Sequence, residues 1–229
     1  MATILQLETS GEVCSVAISE DGKLLTFSES FENNSHTEII TILIKQCLED
    51  ADISIKDIDA VAVSGGPGSY TSLRVGVATA KGICYGVGCR LIAIDSLQIL
   101  ASGININTIK SEDVIIPMID ARRMEVYTSI FNSRLENIVQ TEAVILEDNL
   151  FEKVIASSAQ RHICGSGALK YYNTFPSERV TLHHLSTSAK YMTEMAYQLY
   201  IASTFVDHAY YSPNYFKAPN ITKSLKKIF

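Results

Sequence analysis

The stretch Ala62-Val63-Ser64-Gly65-Gly66-Pro67-Gly68-Ser69-Tyr70-Thr71-Ser72-Leu73-Arg74-Val75-Gly76 concentrates the residue types that can hold an anion. Glycine lets backbone N–H groups approach a ligand and reach positive φ. A helix starting behind the glycines presents unpaired donors and a partial positive charge. Together these make an anion site, with Gly66, Gly68, Ser69 and Thr71 as its candidates. No Gly-Lys-Ser/Thr follows, so this is not a Walker P-loop. Lys81 lies about three turns down the helix and is not aimed at the loop. The same residues also make a tight strand-to-helix turn with no ligand, and residue types alone leave both readings open.

The other reactive side chains are scattered. The histidines are His36, His162, His183, His184 and His208, with no His-x-x-x-His pair among them. His183 and His184 are adjacent and therefore point apart, and each histidine reads as a surface or capping residue. Ser69 and His36 are the only pair resembling a nucleophile and its base, with no orienting acid. The cysteines are Cys14, Cys47, Cys84, Cys89 and Cys164, odd in number and without a C-x-x-C pair. This reads as reduced thiols in a cytosolic protein rather than a disulfide frame or zinc site.

The elements that must position these groups follow from periodicity. Thr3 to Leu7, Glu12 to Ser19 and Lys23 to Phe31 read as three strands, with Asp21-Gly22 as a hairpin turn. Ser35 and Glu38 form a capping box for a helix reaching about Asp50. Ile58 to Val63 is a short apolar strand of the kind buried on both faces. A helix over Thr71 to Gly86, a strand over Arg90 to Ile94 and a helix from Ser96 follow the glycine loop. The second half repeats the outline: strands over Val114 to Ile119, Glu125 to Phe131 and Asn137 to Ile145, a helix over Glu147 to Ser157, a strand over His162 to Cys164, a Gly165-Ser166-Gly167 loop and a helix from Ala168 to Tyr172. Asp120 stands where Glu8 stood.

Two lobes, each β-β-β-α-β-α, form the outline of the actin, hexokinase and Hsp70 superfamily, an α/β fold in which two lobes face a nucleotide cleft. The expected division is residues 1–102 for the lobe with the glycine loop and 103–229 for the second lobe with a basic tail. After about Ser186 a helix aligns Met192, Met195, Ala196 and Leu199 on one stripe, a core-packing pattern. The tail carries Lys217, Lys223, Lys226 and Lys227 and no acid from Ala209 onward.

Two helices invite a partner. In the first, Ile39, Ile40, Leu43, Ile44, Cys47 and Leu48 span an arc of about 180°, wider than a surface helix needs. Ile42 lies on the remaining polar side with Gln46. Either an internal layer or another subunit covers the excess, and a subunit interface is the favoured reading. In the second, Gly76 and Ala80 are four apart, with Gly82 close by. Glycine inside a helix costs roughly 1 kcal/mol relative to alanine, so close packing is expected to offset it.

Composition agrees with a folded, soluble unit. The chain has 229 residues, 47% hydrophobic and 19% charged, enough for a core and too apolar for disorder. A net charge of −6 argues against a freestanding nucleic-acid binder, but not against a subunit that helps a partner act on RNA. The N-terminus lacks the features of a signal peptide, and no apolar run approaches the roughly 18 residues of a membrane span.

With these residues in view, the chain resembles the TsaB (YeaZ) family of bacterial tRNA threonylcarbamoyladenosine synthesis. The family's Gly-Pro-Gly-Ser-aromatic-Thr-x-x-Arg-x-Gly pattern matches Gly66 to Gly76 without a gap. Ile4-Leu5-Gln6-Leu7-Glu8-Thr9 resembles its opening strand, with Glu for Asp. His36-Thr37 matches the start of its first helix, Asp120-Ala121-Arg122 with Glu125-Val126-Tyr127 its second-lobe motif, and Pro213-Asn214-Tyr215-Phe216-Lys217, more weakly, its closing motif.

The resemblance implies a non-catalytic scaffold with no cofactor of its own. It would pair with the catalytic TsaD paralogue through the two helices, with Ile39, Ile42, Leu43, Gln46, Tyr70, Arg74, Gly76, Val77 and Ala80 at the interface. Alone it would form a homodimer through the same surface. The complex would include a TsaE-like ATPase, reach tRNA only as an assembly in the cytoplasm, and allow a nucleotide at the subunit junction. Arg74 is either an interface residue or a partner in an ion pair that locks the lobes. The family's catalytic paralogue carries a His-x-x-x-His pair where this chain reads Ile94-Asp95-Ser96-Leu97-Gln98-Ile99-Leu100, so no metal is expected here. Two alternatives remain: an autonomous ATPase or kinase using Glu8 and Asp120 to hold magnesium, and, last, a glycoprotease-like peptidase.

Overall fold

A computed structural model describes residues 1–32, 36–147, 150–151 and 159–217. The first half contains β1 (Thr3–Glu8), β2 (Cys14–Glu20), β3 (Lys23–Ser30), α1 (His36–Ala51), β4 (Ala60–Ser64), α2 (Tyr70–Val87), β5 (Arg90–Ile94) and α3 (Ser96–Ala101). The second contains β6 (Val114–Asp120), β7 (Glu125–Asn132), β8 (Asn137–Ile145), β9 (Arg161–Cys164), α4 (Ala168–Thr174), β10 (Val180–His183) and α5 (Thr193–Ile201).

The two sheets run β3-β2-β1-β4-β5 and β8-β7-β6-β9-β10, the same order twice. In each, the first three strands are antiparallel and the last two join in parallel. Asp21 and Gly22 both take positive φ, the tight turn that a two-residue hairpin requires. The strand order repeats as the outline expected from sequence requires. The strand β10 was not anticipated, because four residues of Val-Thr-Leu-His carry too little pattern to mark a strand.

β4 is buried along its whole length because helices cover both faces of its sheet. On one face α1 and α2 build a core with Leu5, Leu7, Val16, Ile18, Val61 and Val63. On the other, Ala189, Met192 and Ala196 pack against Ile4, Ala17, Ala60, Ala62 and Ile92. The predicted methionine stripe is thus core, although the helix starts only at Thr193, after a 3-10 turn over Ala189–Met192.

Packing crosses the 102/103 boundary in both directions. α5 comes from the second half yet covers the first sheet. Leu97, Leu100 and Ala101 of α3 pack with Ile115, Ile119, Tyr127 and Phe131 of the second sheet. Asp95 caps α3 and also accepts a hydrogen bond from Thr141 Oγ1 of β8 at 2.9 Å. The Ser35 cap, most of the helix expected over Glu147–Ser157, and Lys223, Lys226 and Lys227 lie outside the described residues.

Candidate functional site

The glycine loop leaves β4 and enters α2, as the residue types require, but this chain itself fills it. Gly65 N donates to Ile94 O at 2.7 Å, Ser69 N to Ser10 O at 2.8 Å, and Asn214 N to Gly65 O at 2.8 Å. Gly66 has φ +96, and a Cβ there would collide with Asn214 O. A Cβ at Gly68 would collide with Ser10 O. The expected cradle at Gly66 and Gly68 is therefore occupied by backbone from the loop after β1 and from the C-terminal segment. Ser69 precedes α2 without a side-chain cap, its hydroxyl bonded to that of Ser72, and Ser69 and Thr71 face solvent. The glycines allow this close backbone approach.

The acids at the strand ends do not present a free pair. Glu8 is fully buried, and Ser10 N donates to its Oε1 at 2.6 Å. Burial raises its pKa from 4.5 to about 7, against opposing hydrogen bonds from Ser10, Ser64 and Thr187. Among the described residues no donor lies within hydrogen-bonding geometry of its Oε2. Asp120 accepts from Arg122 N at 2.7 Å and pairs with Lys170. His36 is buried with Nε2 unpartnered, so it is not the exposed base that a peptidase would need beside Ser69.

The surface reading of the histidines is corrected at a second place. His162 is buried, its Nδ1 lies 3.0 Å from His183 Nε2, and its Nε2 lies 3.5 Å from Asp113 Oδ2. The unanticipated pairing of β10 with β9 brings the two rings together. Among the described residues no group of three or more His, Cys, Asp or Glu could hold a metal ion.

The α1–α2 face is partly inward and partly open. The apolar arc of α1 packs on its own sheet: Ile40, Leu43, Ile44 and Cys47 are buried, with Ile39 and Leu48 against them. Leu43, Gly76, Val77 and Ala80 are buried within the chain itself. Gly76 meets Thr9 rather than another helix. The arc is wide because α1 sits between a sheet and α2, so an internal layer covers it.

What stays open is Ile42, 63% exposed, with Gln46 and Arg74 also exposed and Ile39 and Tyr70 half-buried. A groove of about 410 Å³ runs between the helices, lined in part by Thr37, Thr41, Tyr70, Arg74, Val75 and Ala78. Gly82 and Gly86 continue the α2 face, with open space where a Cβ would stand. Sequence reasoning missed Gly86 and the exposed Ala78, although a spacing of four from Gly82 placed both on its stripe.

A family model described as "TsaD: tRNA N6-adenosine threonylcarbamoyltransferase" matches residues 30–223. The Escherichia coli "tRNA threonylcarbamoyladenosine biosynthesis protein TsaB" is 32% identical over 170 residues, 72% of this chain and 71% of that protein. This chain belongs to the TsaB family. The Bacillus subtilis TsaB is 30% identical over 149 residues, 64% of this chain, and the match spans 63% of that protein. The solved structure "YeaZ from Pseudomonas aeruginosa" shares the fold, with a TM-score of 0.79 at 24% identity, covering 94% of this chain and all of that one.

The TsaB motifs fall on linked pieces of the fold. The closing motif touches both halves of the fold. Lys81 Nζ donates to Ala209 O and Tyr211 O at 3.1 and 3.2 Å, and Asn214 reaches the glycine loop. Tyr215 stacks on Tyr70 with centroids 4.5 Å apart, and Lys217 pairs with Glu125 of the second lobe. Arg74 lies 4.2 Å over the Tyr70 ring and donates to Tyr215 Oη at 3.3 Å. Arg74 also donates to Tyr70 Oη, so both of its hydrogen-bond partners among the described residues are tyrosine hydroxyls. No helix among the described residues is long and apolar enough to cross a membrane.

Proposed function

We propose that this chain is the accessory subunit of a tRNA threonylcarbamoyladenosine synthesis complex. It docks a TsaD-like catalytic paralogue on its α1–α2 face and performs no transfer itself. The single observation that carries the reading is that face: Ile42 exposed on α1, an apolar groove between α1 and α2, and exposed glycines at Gly82 within α2 and Gly86 in its last turn, with no described residue within 4 Å of where their Cβ atoms would stand. Gly82, inside α2, forgoes roughly 1 kcal/mol relative to alanine, and a close-packed partner helix would offset that. The filled glycine loop and the buried Glu8 support a scaffold over an autonomous ATPase. In this reading the chain forms a homodimer through the same face when alone, a TsaE-like ATPase joins the assembly, and tRNA is met in the cytoplasm only through the complex.

Sedimentation of the chain alone, and mixed with the catalytic paralogue from the same genome, tests this. A heterodimer formed at the expense of a homodimer is expected. Ile42→Glu should leave the fold intact, because Ile42 is exposed, and weaken association at least tenfold, about 1.4 kcal/mol. Normal association of that variant overturns the choice of face, and no association of the wild-type protein overturns the scaffold reading.

A further inference from the structure

The end of α2 carries a pair of thiols that the proposed docking function does not use. Cys84 Sγ and Cys89 Sγ lie 3.8 Å apart. Cys84 is fully buried and Cys89 half-buried, and both line a hollow of about 500 Å³ with Tyr85, Arg90, Phe205 and His208. Cys14, Cys47 and Cys164 are buried and make no such contact. Spacing alone hides this pair, because the chain passes between the two residues through a left-handed Gly88 (φ 81) that ends the helix and turns Cys89 back over its last turn.

We propose that Cys84 and Cys89 form an oxidisable dithiol, a modification site that reacts with hydroperoxides and closes to an intramolecular disulfide. Cys89 is the attacking sulfur, since it is half-buried whereas Cys84 is fully buried. Hydrogen bonding with Cys84 holds the Cys89 thiol below its usual pKa, and the same contact holds Cys84 up. The Cys89 thiolate attacks one oxygen of hydrogen peroxide. An S–O bond forms, the O–O bond breaks, and the departing hydroxide takes a proton to become water. Cys84 sulfur then attacks Cys89 sulfur. The S–S bond forms, the S–O bond breaks, and the oxygen leaves with the Cys84 proton as a second water. Two thiols are oxidised by two electrons and one peroxide is reduced.

The geometry suits the second step. The sulfurs must close from 3.8 Å to the bonded distance of about 2.05 Å, and Cys89 lies outside the helix that holds Cys84. Gly88, the residue between the helix end and Cys89, has φ +81 and open space where a Cβ would stand.

The test is titration of the fully reduced chain with hydrogen peroxide, followed by alkylation of remaining thiols, intact mass and peptide mapping. The expected product has lost two hydrogens, links Cys84 to Cys89, leaves Cys14, Cys47 and Cys164 free, and reverts with dithiothreitol. Cys89→Ser, at a half-buried position, should abolish the linkage. Cys84→Ser should leave a Cys89 sulfenic acid that dimedone traps. Oxidation of wild-type Cys89 to the sulfinic acid with Cys84 still free overturns the proposal. So does a linkage only between chains, or faster alkylation of a buried cysteine than of Cys89 in the reduced protein.

Discussion

Glu8 shows how a motif position changes meaning with its surroundings. From the sequence it is an acid at a strand end, where a cleft enzyme would hold magnesium. In the fold it is sealed among Ser10, Ser64 and Thr187, and burial lifts its pKa from 4.5 to about 7. Below pH 4.5 the carboxyl is neutral in folded and unfolded chains alike. Between 4.5 and 7 the unfolded chain ionises first, so folding stability falls as pH rises through that window. Glu8→Gln should flatten that decline and gain on the order of 3 kcal/mol above pH 7, as read by urea unfolding at a series of pH values. A slope unchanged by the substitution would place the carboxylate in contact with water. Neither burial nor the closing of Thr187 over Glu8 was legible in the sequence, because the two residues meet only through long-range packing.

α1 and α2 are the elements whose periodicity was most legible and whose exposed faces were least so. The pattern placed both helices within about two residues of their observed ends. It could not say which apolar residues face a sheet and which face water, since a helix between two layers reads the same as one that meets a partner. The glycines of α2 now separate. Gly76→Ala should destabilise the isolated chain, because its Cβ would press into Thr9, which is held by β1. Gly82→Ala has open space and should raise the thermal midpoint, gaining up to about 1 kcal/mol. The same Gly82→Ala should weaken association with the catalytic paralogue, measured by titration calorimetry. Stability and association moving in opposite directions is the signature of a position kept small for a partner.

Across the whole molecule, the segment from Val206 to Lys217 ties the parts together. Val206 bridges to Leu91, Lys81 holds two carbonyls, Asn214 closes the glycine loop, and Lys217 reaches the second lobe. Lys81→Met should loosen this strap and speed hydrogen exchange at Tyr211 and Asn214, whose amides bond to Asp207 and Gly65. Exchange unchanged from wild type would show that the aromatic stack of Tyr70 and Tyr215 suffices. The strap also explains why an aromatic stands after Gly-Pro-Gly-Ser: Tyr70 is where the first lobe receives the returning chain.

Local order was readable from residues because strand alternation, the helix period, the Asp-Gly turn and the glycine loop each depend on neighbours within a few positions. The duplicated outline and the family motif followed from their succession. Glu8 and Thr187, Gly66 and Asn214, Cys84 and Cys89, and His162 and His183 each depend on where the chain returns. The sequence carried the types of these residues but not their pairing. Burial and close approach are set by the sum of many weak contacts between distant segments, and no single stretch of this chain encodes that sum.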